Sequence, residues 1–254
     1  MKMSKQKISF FLMAMMMSGL SVFAAAPEHF YNPPENINLD PAYVPGAYST
    51  PETQPARTIY ENAKQELATA VDFASGDHLF TQNGGDVTFT VIKNETASVL
   101  GYFREFFGVL KLVKGQPDSM VMVIDINSLD TAVPGRNNRL IDLFFRSTKP
   151  EFGTATVNFD KLDLGGKLLA QLKDGKAHPV RASGKIHLNG VDNPLTTELT
   201  LRKTGAVWSV KTAKPVDLLI SDFAFTERIP DLLKACNHKS LGNHVAINVN
   251  LYLK

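Results

Sequence analysis

The sequence predicts an all-β domain of short antiparallel strands, preceded by an export signal and a proline-rich arm. Three observations carry that expectation. Residues 183–203, SGKIHLNGVDNPLTTELTLRK, alternate apolar and polar side chains in two arms around Asn189-Gly190, the pattern of a hairpin with one dry and one wet face. Short runs of the same kind recur through residues 87–253 with Gly, Asn, Asp and Pro between them. Their number, eight or nine, and their spacing argue a closed barrel or a sandwich against parallel βαβ units. Finally, Cys236 is the one cysteine of 254 residues, so no internal disulfide forms and stability has to come from burial.

In chain order, Lys2, Lys5 and Lys7 precede an apolar run over residues 8–23, and Val22-Phe23-Ala24 supplies the cleavage-site pattern of a secretory leader. Residues 1–24 are expected to be a cleaved signal peptide, with Ala25 as first mature residue and the periplasm or the exterior as destination. The run falls short of the roughly 20 residues of a membrane span. Loss of the leader takes three lysines and no acid, turning a formal charge of +2 into −1. That change removes the electrostatic case for nucleic acid as a partner. Six of the eight methionines lie in the same segment, so methionine content says nothing about copper or redox chemistry.

Residues 25–57 hold seven of the fourteen prolines and read as an extended arm, with Tyr31, Tyr43 and Tyr48 available for packing or for partner recognition. Residues 58–76 read as an amphipathic helix and its ending. Ile59, Ala63, Leu67, Ala70 and Val71 recur at helical spacing, Thr58 and Glu61 form a capping box, and Ser75-Gly76-Asp77 marks the stop.

Residues 77–254 form the strand-rich domain. Val87, Phe89 and Val91 alternate with threonines, residues 108–113 follow, and residues 120–126 are apolar on both faces except at Asp125, which calls for cover on both sides. Residues 154–159, the hairpin, and residues 206–211, 216–225 and 245–253 complete the series. Within the hairpin, Asn193-Pro194 is expected to interrupt the ladder because proline has no N–H. Gly101 to Gly108 enclose four aromatics, expected as a tight turn or short helix closing one end. Residues 227–235 read as a helix started by Pro230-Asp231 and ending near Asn237.

No dinucleotide fingerprint, P-loop, H-E-x-x-H, C-x-x-C or G-x-S-x-G motif occurs. Cys236, His238 and His244 form a C-x-H-x₅-H spacing that could serve a metal or a thiolate–imidazole pair, but it matches no zinc template. A buried, inert cysteine beside surface histidines is the simpler reading, with an enzymatic or redox accessory as the alternative. Asp125, Ser128, Asp130 and Thr131 crowd a strand end and read as side chains capping a turn. His187 falls on the wet face of the hairpin and His178 precedes Pro179, so neither joins a site.

Residues 123–131 (VIDINSLDT), 136–145 (RNNRLIDLFF), 152–159 (FGTATVNF) and 184–191 (GKIHLNGV), with the earlier Gly101-x-Phe103-x-x-Phe106-x-Gly108, follow one another in an order and spacing that resemble the YceI-like family. The resemblance spans about residues 77–254. It implies an extended, eight-stranded, lipocalin-like antiparallel barrel with short helices, exported to the periplasm and holding a long isoprenoid or other amphiphilic chain without covalent chemistry or a further cofactor. It also points toward a membrane redox partner. A histidine common in the family after the first strand is Asn94 here, and an aspartate-phenylalanine-glycine segment reads Asp222-Phe223-Ala224; these departures bear on the ligand more than on the fold. Side chains expected to face the interior and bind the chain are Phe89, Val91, Phe103, Phe107, Met122, Ile124, Val157, Phe159, Ile186, Leu188, Leu199 and Leu201. The alternatives are Cys236 chemistry with a nearby histidine, or an interaction module using the Pro/Tyr arm; oligomeric state is not legible.

Overall fold

The structure, a computed structural model, describes residues 54–253; the expected signal peptide, and the expected arm up to residue 53, lie outside the described residues. The strands are β1 (His78–Thr81), β2 (Gly85–Lys93), β3 (Ala97–Phe103), β4 (Phe106–Val113), β5 (Gln116–Asp125), β6 (Leu129–Asp130), β7 (Thr154–Asp163), β8 (Ala177–Leu188), β9 (Val191–Thr204), β10 (Val207–Thr212), β11 (Val216–Leu219) and β12 (Leu241–Leu253). They build one antiparallel sheet in the order β1-β4-β5-β7-β8-β9-β10-β12-β2-β3-β6, with β11 also on β12. The all-β expectation holds, with twelve strands in place of eight. Strands β1, β6 and β11 have four, two and four residues, too few to show an alternation in the sequence.

The hydrogen-bonded path has two ends, so the sheet is a strongly curled half-barrel and not a continuous ring. At Arg104-Glu105 β3 passes into β4 without pairing with it, and the short end strands β6 and β1 pair with β3 and β4 on either side of that corner. Donors at this corner are met by a turn: Arg104 N–H donates to Ser128 O (3.1 Å) and Glu105 N–H to Ser128 Oγ (3.0 Å). The donors of the corner are thereby satisfied. The aromatic segment between Gly101 and Gly108 is therefore strand on either side of a corner, which corrects the expectation of a turn or helix. Its glycines make room for rings. Gly101 pairs with Phe89 and Gly108 with Phe80, and a Cβ on either would lie 2.2 or 2.1 Å from the partner's ring carbon.

The hairpin of β8 and β9 closes through Asn189 and Gly190, both at positive φ (54° and 76°), the two-residue turn whose twist matches that of the strands. Leu188 pairs with Val191 across it, and the ladder runs on through Lys185 and Pro194, contrary to the expected interruption. Pro194 is an odd number of pairs from the turn's bonded pair, so its nitrogen faces away from β8. On that side β10 pairs only with residues 199–204, and the missing donor costs nothing.

Helix α1 (Gln54–Thr69) begins four residues earlier than the sequence suggests. Thr58 is inside it, donating to Gln54 O (3.0 Å), and Glu61 meets Arg57, so the expected capping box does not form. Its Ala56 and Tyr60 are fully buried, and Gly153 permits the approach, since a Cβ there would sit 2.2 Å from that of Ala56. Arg57 reaches inward to Glu105 and, at 2.9 Å, to Asp125. Thus α1 gives the outer face of β5 the cover that its apolar sequence demands.

Three further segments fill the inside of the curl. Helix α2 (Pro134–Arg139) runs into a π-helical turn (Leu140–Phe145), and α3 (Ile229–Cys236) ends at Asn237 in the left-handed conformation. Among the described residues no helix is long and apolar enough to cross a membrane.

Candidate functional site

The inner face of the sheet divides into a packed floor and a cavity. At the floor Phe80, Leu110 and Leu201 are buried in the core without lining the cavity, and Val210 and Leu251, equally buried, line it. Along β12 the inward positions above Leu251 are Val249, Ile247 and Val245, each only half-buried; along β2 the matching positions are Val87, Phe89, Val91 and Lys93. Apolar side chains that point inward yet keep exposed surface line open space. That space is a cavity of about 200 Å³, bounded by nine strands, the π-turn and α3. A water-sized unit needs ~10–15 Å³ on this measure, so the cavity admits a multi-carbon chain.

Of the twelve side chains expected at the interior, ten line the cavity: Phe89, Val91, Phe103, Met122, Ile124, Val157, Phe159, Ile186, Leu188 and Leu199. Phe107 does not. It pairs with Val123 while Phe106 pairs with Ile124, so Phe106 takes the inner face and Phe107 the outer one, beneath α1; the corner at Arg104-Glu105 sets this phase and the sequence does not show it. Leu201 does face inward, but it lies in the packed floor.

One wall consists of aromatics that the sequence did not single out. The Phe144 ring stacks on that of Phe225 (4.4 Å between centroids), and Phe145 meets Phe225 edge-on (5.5 Å) and Phe103 at 6.3 Å. The wider π-turn brings the adjacent Phe144 and Phe145 to the cavity together with Leu140. Arg228, 7% exposed, donates to the carbonyls of both Phe144 (2.8 Å) and Phe145 (2.9 Å). Its guanidinium lies over Phe225 and Phe152, so one buried cation fixes the end of the turn and the rings with it. Leu195, Val245, Ile247 and Val249 also line the cavity; the alternation of residues 245–251 signalled the last three, whereas the irregular aromatic segments carried no period.

Polar lining is sparse. Thr197 and Thr212 contribute on β9 and β10, and Lys93, Arg136, Cys236 and His238 are further polar members of the lining. Lys93 Nζ is 3.4 Å from His238 Nε2. Arg136 donates from Nε (2.8 Å) and Nη2 (2.7 Å) to Thr131. Burial, with neighbouring Arg139, holds the Arg136 pKa below the usual arginine range, opposed by Cys236.

The Cys-His spacing does not assemble into a site. His244 turns to Asp217 (2.7 Å) on β11, Cys236 is half-buried, and among the described residues no group of three metal-ligating side chains converges. The Asp125–Thr131 cluster caps its turn as expected: Asp125 accepts from Asn127 N–H (2.9 Å) and Asp130 from Ala132 N–H (2.8 Å). Arg57 and Arg104 add ion pairs to these carboxylates that sequence distance concealed. His187 is on the wet face, bonded to Asp192.

Comparison with known proteins agrees with this architecture. A polyisoprenoid binding domain from Saccharophagus degradans, implicated in plant cell wall breakdown, superposes with a TM-score of 0.61 at 22% identity over 70% of this chain and 97% of that one. BcnA of Burkholderia cenocepacia superposes at 0.51 with 19% identity, over 66% and 95%. At these identities the likeness is one of fold. No curated protein sequence matches the chain. Residues 80–253 match the model of the YceI-like domain, most of the chain and all of its curled sheet but the first two residues of β1, and the chain belongs to that family.

Proposed function

We propose that this protein binds a long apolar chain, isoprenoid or another amphiphile, inside the curled sheet and sequesters or carries it in the periplasm, to which the leader-like residues 1–24 point. The observation that carries this reading is the cavity: about 200 Å³ lined by aliphatic and aromatic side chains that stay half-open at the strand ends. Each methylene moved from water into such surroundings contributes about 0.8 kcal/mol, and rings held by Arg228 lessen the ordering that binding would otherwise require. The polyisoprenoid binding named for the Saccharophagus degradans neighbour supports the same ligand class. Binding by burial needs no catalytic group, which suits a carrier.

The test is native mass spectrometry of the delipidated protein with isoprenols of increasing length, alongside Val245→Trp. Val245 sits opposite Val91 on the cavity wall, and an indole there fills space the chain would take. The wild type is expected to take up one chain and the variant none while retaining its far-UV circular dichroism. A folded wild type that takes up no chain, or equal uptake by both proteins, would refute the reading.

A further inference from the structure

The side wall of the curled sheet has a break, and a cargo-binding fold gives that break a use. We propose that the ligand enters and leaves sideways, between β9 and β11, and that the short turn Ile220–Phe223 is the lid of this passage; this rests on the chain-binding reading above.

Strands β10 and β11 both pair with β12, but only β10 also pairs with β9. The ladder between them ends at Thr212 and Leu199, and one further bond runs from Ala213 N–H to Glu198 O (2.9 Å). The chain then bends through exposed Lys214 and Pro215, and among the described residues no pairing joins β11 to residues 191–198 of β9. The cavity reaches this slit. Leu195 and Thr197 on one margin and Val216 and Leu218 on the other line it, and all four are half-buried. Pro194 offers no N–H on that edge of β9, which disfavours a further strand there. A gap with apolar margins suits the passage of an apolar chain.

The lid closes this gap. Ile220–Phe223 is one turn of 3₁₀-helix that continues β11. Its Ile220 and Phe223 are buried and line the cavity, whereas Ser221 and Asp222 are exposed. Among the described residues no backbone–backbone bond ties the turn to β9 or β12; side-chain amides do so instead. On the β9 side Asn189 Nδ2 donates to Phe223 O (2.6 Å) and Asn193 Nδ2 to Asp222 O (2.7 Å). On the β12 side Ser221 N–H donates to Asn243 Oδ1 (2.9 Å) and Asn243 Nδ2 to Ser221 Oγ (3.1 Å). The two bonds to β9 are therefore the latch, and the turn opens by parting from β9 while it stays with β12. Burial of Ile220 and Phe223 shuts the lid at rest. Two features lower the cost of opening. Asn189 Oδ1 is buried without a partner, so release returns both ends of that amide to water. Ala224 sits at φ 56°, a left-handed conformation that strains a side chain. It marks where the lid meets Phe225, which its stack on Phe144 and the Arg228 guanidinium hold in place.

The experiment is stopped-flow binding of parinaric acid, an apolar chain that fluoresces on leaving water, to the delipidated full chain, with release driven by excess farnesol. The variants are Asn193→Ala, Asn189→Gly, which keeps the positive φ of its turn, and both together. Asp192→Asn, which breaks the pairs to Lys185 and His187 on the outer face of the same strand, is the control. A latch closed in the free and the bound protein alike is lost equally from each, and association scales with the open fraction. Association and release should both quicken, by about fivefold per bond removed, while the dissociation constant moves less than about twofold. The control should match the wild type. Rates unmoved by Asn193→Ala and Asn189→Gly, faster release without faster association, or equal acceleration in Asp192→Asn would overturn the lid and leave chain binding standing. A wild type that takes up neither parinaric acid nor, by native mass spectrometry, farnesol would remove the chain-binding reading and this proposal together.

Discussion

Replacing Arg57 by Met should destabilise the fold by about 3–5 kcal/mol, the usual consequence of leaving a buried charge without its partner. The magnitude follows from two carboxylates, Glu105 and Asp125, whose side chains are each 3% exposed and which both face Arg57. At roughly 2–4 °C per kcal/mol for a domain of this size, the melting temperature falls by about 6–20 °C. Undocking of α1 sets the ceiling, because once the helix leaves, water reaches both acids. The pH dependence separates this mechanism from lost packing. Burial already holds Asp125 above the ordinary carboxylate range, against Asn127 N–H and Arg57; without Arg57, Asp125 titrates higher still in the folded state. A raised folded pKa contributes stability that is full below the unfolded value of about 4 and lost as pH rises through the folded one. The variant's deficit should therefore be large at pH 7 and shrink toward pH 4.5. Urea unfolding of wild type and variant at both pH values measures it, and adding Glu105→Gln should restore part of the loss at pH 7. A deficit under about 1 kcal/mol at pH 7, or one equal at both pH values, would refute the reasoning.

Gly101→Ala places a methyl where the Phe89 ring lies, 2.2 Å from its Cζ, and should cost about 1–3 kcal/mol; Phe89→Leu in the same chain should recover part of it in a denaturant titration. Burial would raise the Asp130 pKa, but Ala132 N–H and Arg104 outweigh it and hold the carboxyl below its usual range. A depressed folded pKa gives stability present above the unfolded value, about 3.9, and lost as pH falls through the folded one. The stability gap between wild type and Asp130→Asn should thus be widest near neutrality and close below about pH 3.9, as thermal melts across pH would show.

Period-two patterning and turn chemistry determined most of the fold. The hairpin at Asn189-Gly190, the alternation at Val87, Phe89 and Val91, and that at residues 245–251 were readable because side-chain direction in a strand follows from position alone. Interior positions on the alternating strands followed from that rule, whereas Phe103 stood in a segment read as a turn or helix and Met122 and Ile124 in a run apolar on both faces. The rule failed where phase or period is set by distant contacts. Phe106 and Phe107 exchange faces according to a corner whose donors are met by Ser128, more than twenty residues on. Phe144, Phe145 and Phe225 belong to a π-turn and a 3₁₀ region that carry no alternation, and Arg228, over eighty residues from the carbonyls it holds, fixes them. Arg57 is forty-eight residues from Glu105, so the tie between α1 and the sheet was hidden in the same way. By itself the sequence determined which faces of the strands are apolar, because that property is local. Only the tertiary structure decided that the shared interior is packed at its floor and open above, with Lys93 and Arg136 among its lining, because volume and charge balance are properties of side chains brought together from the whole chain.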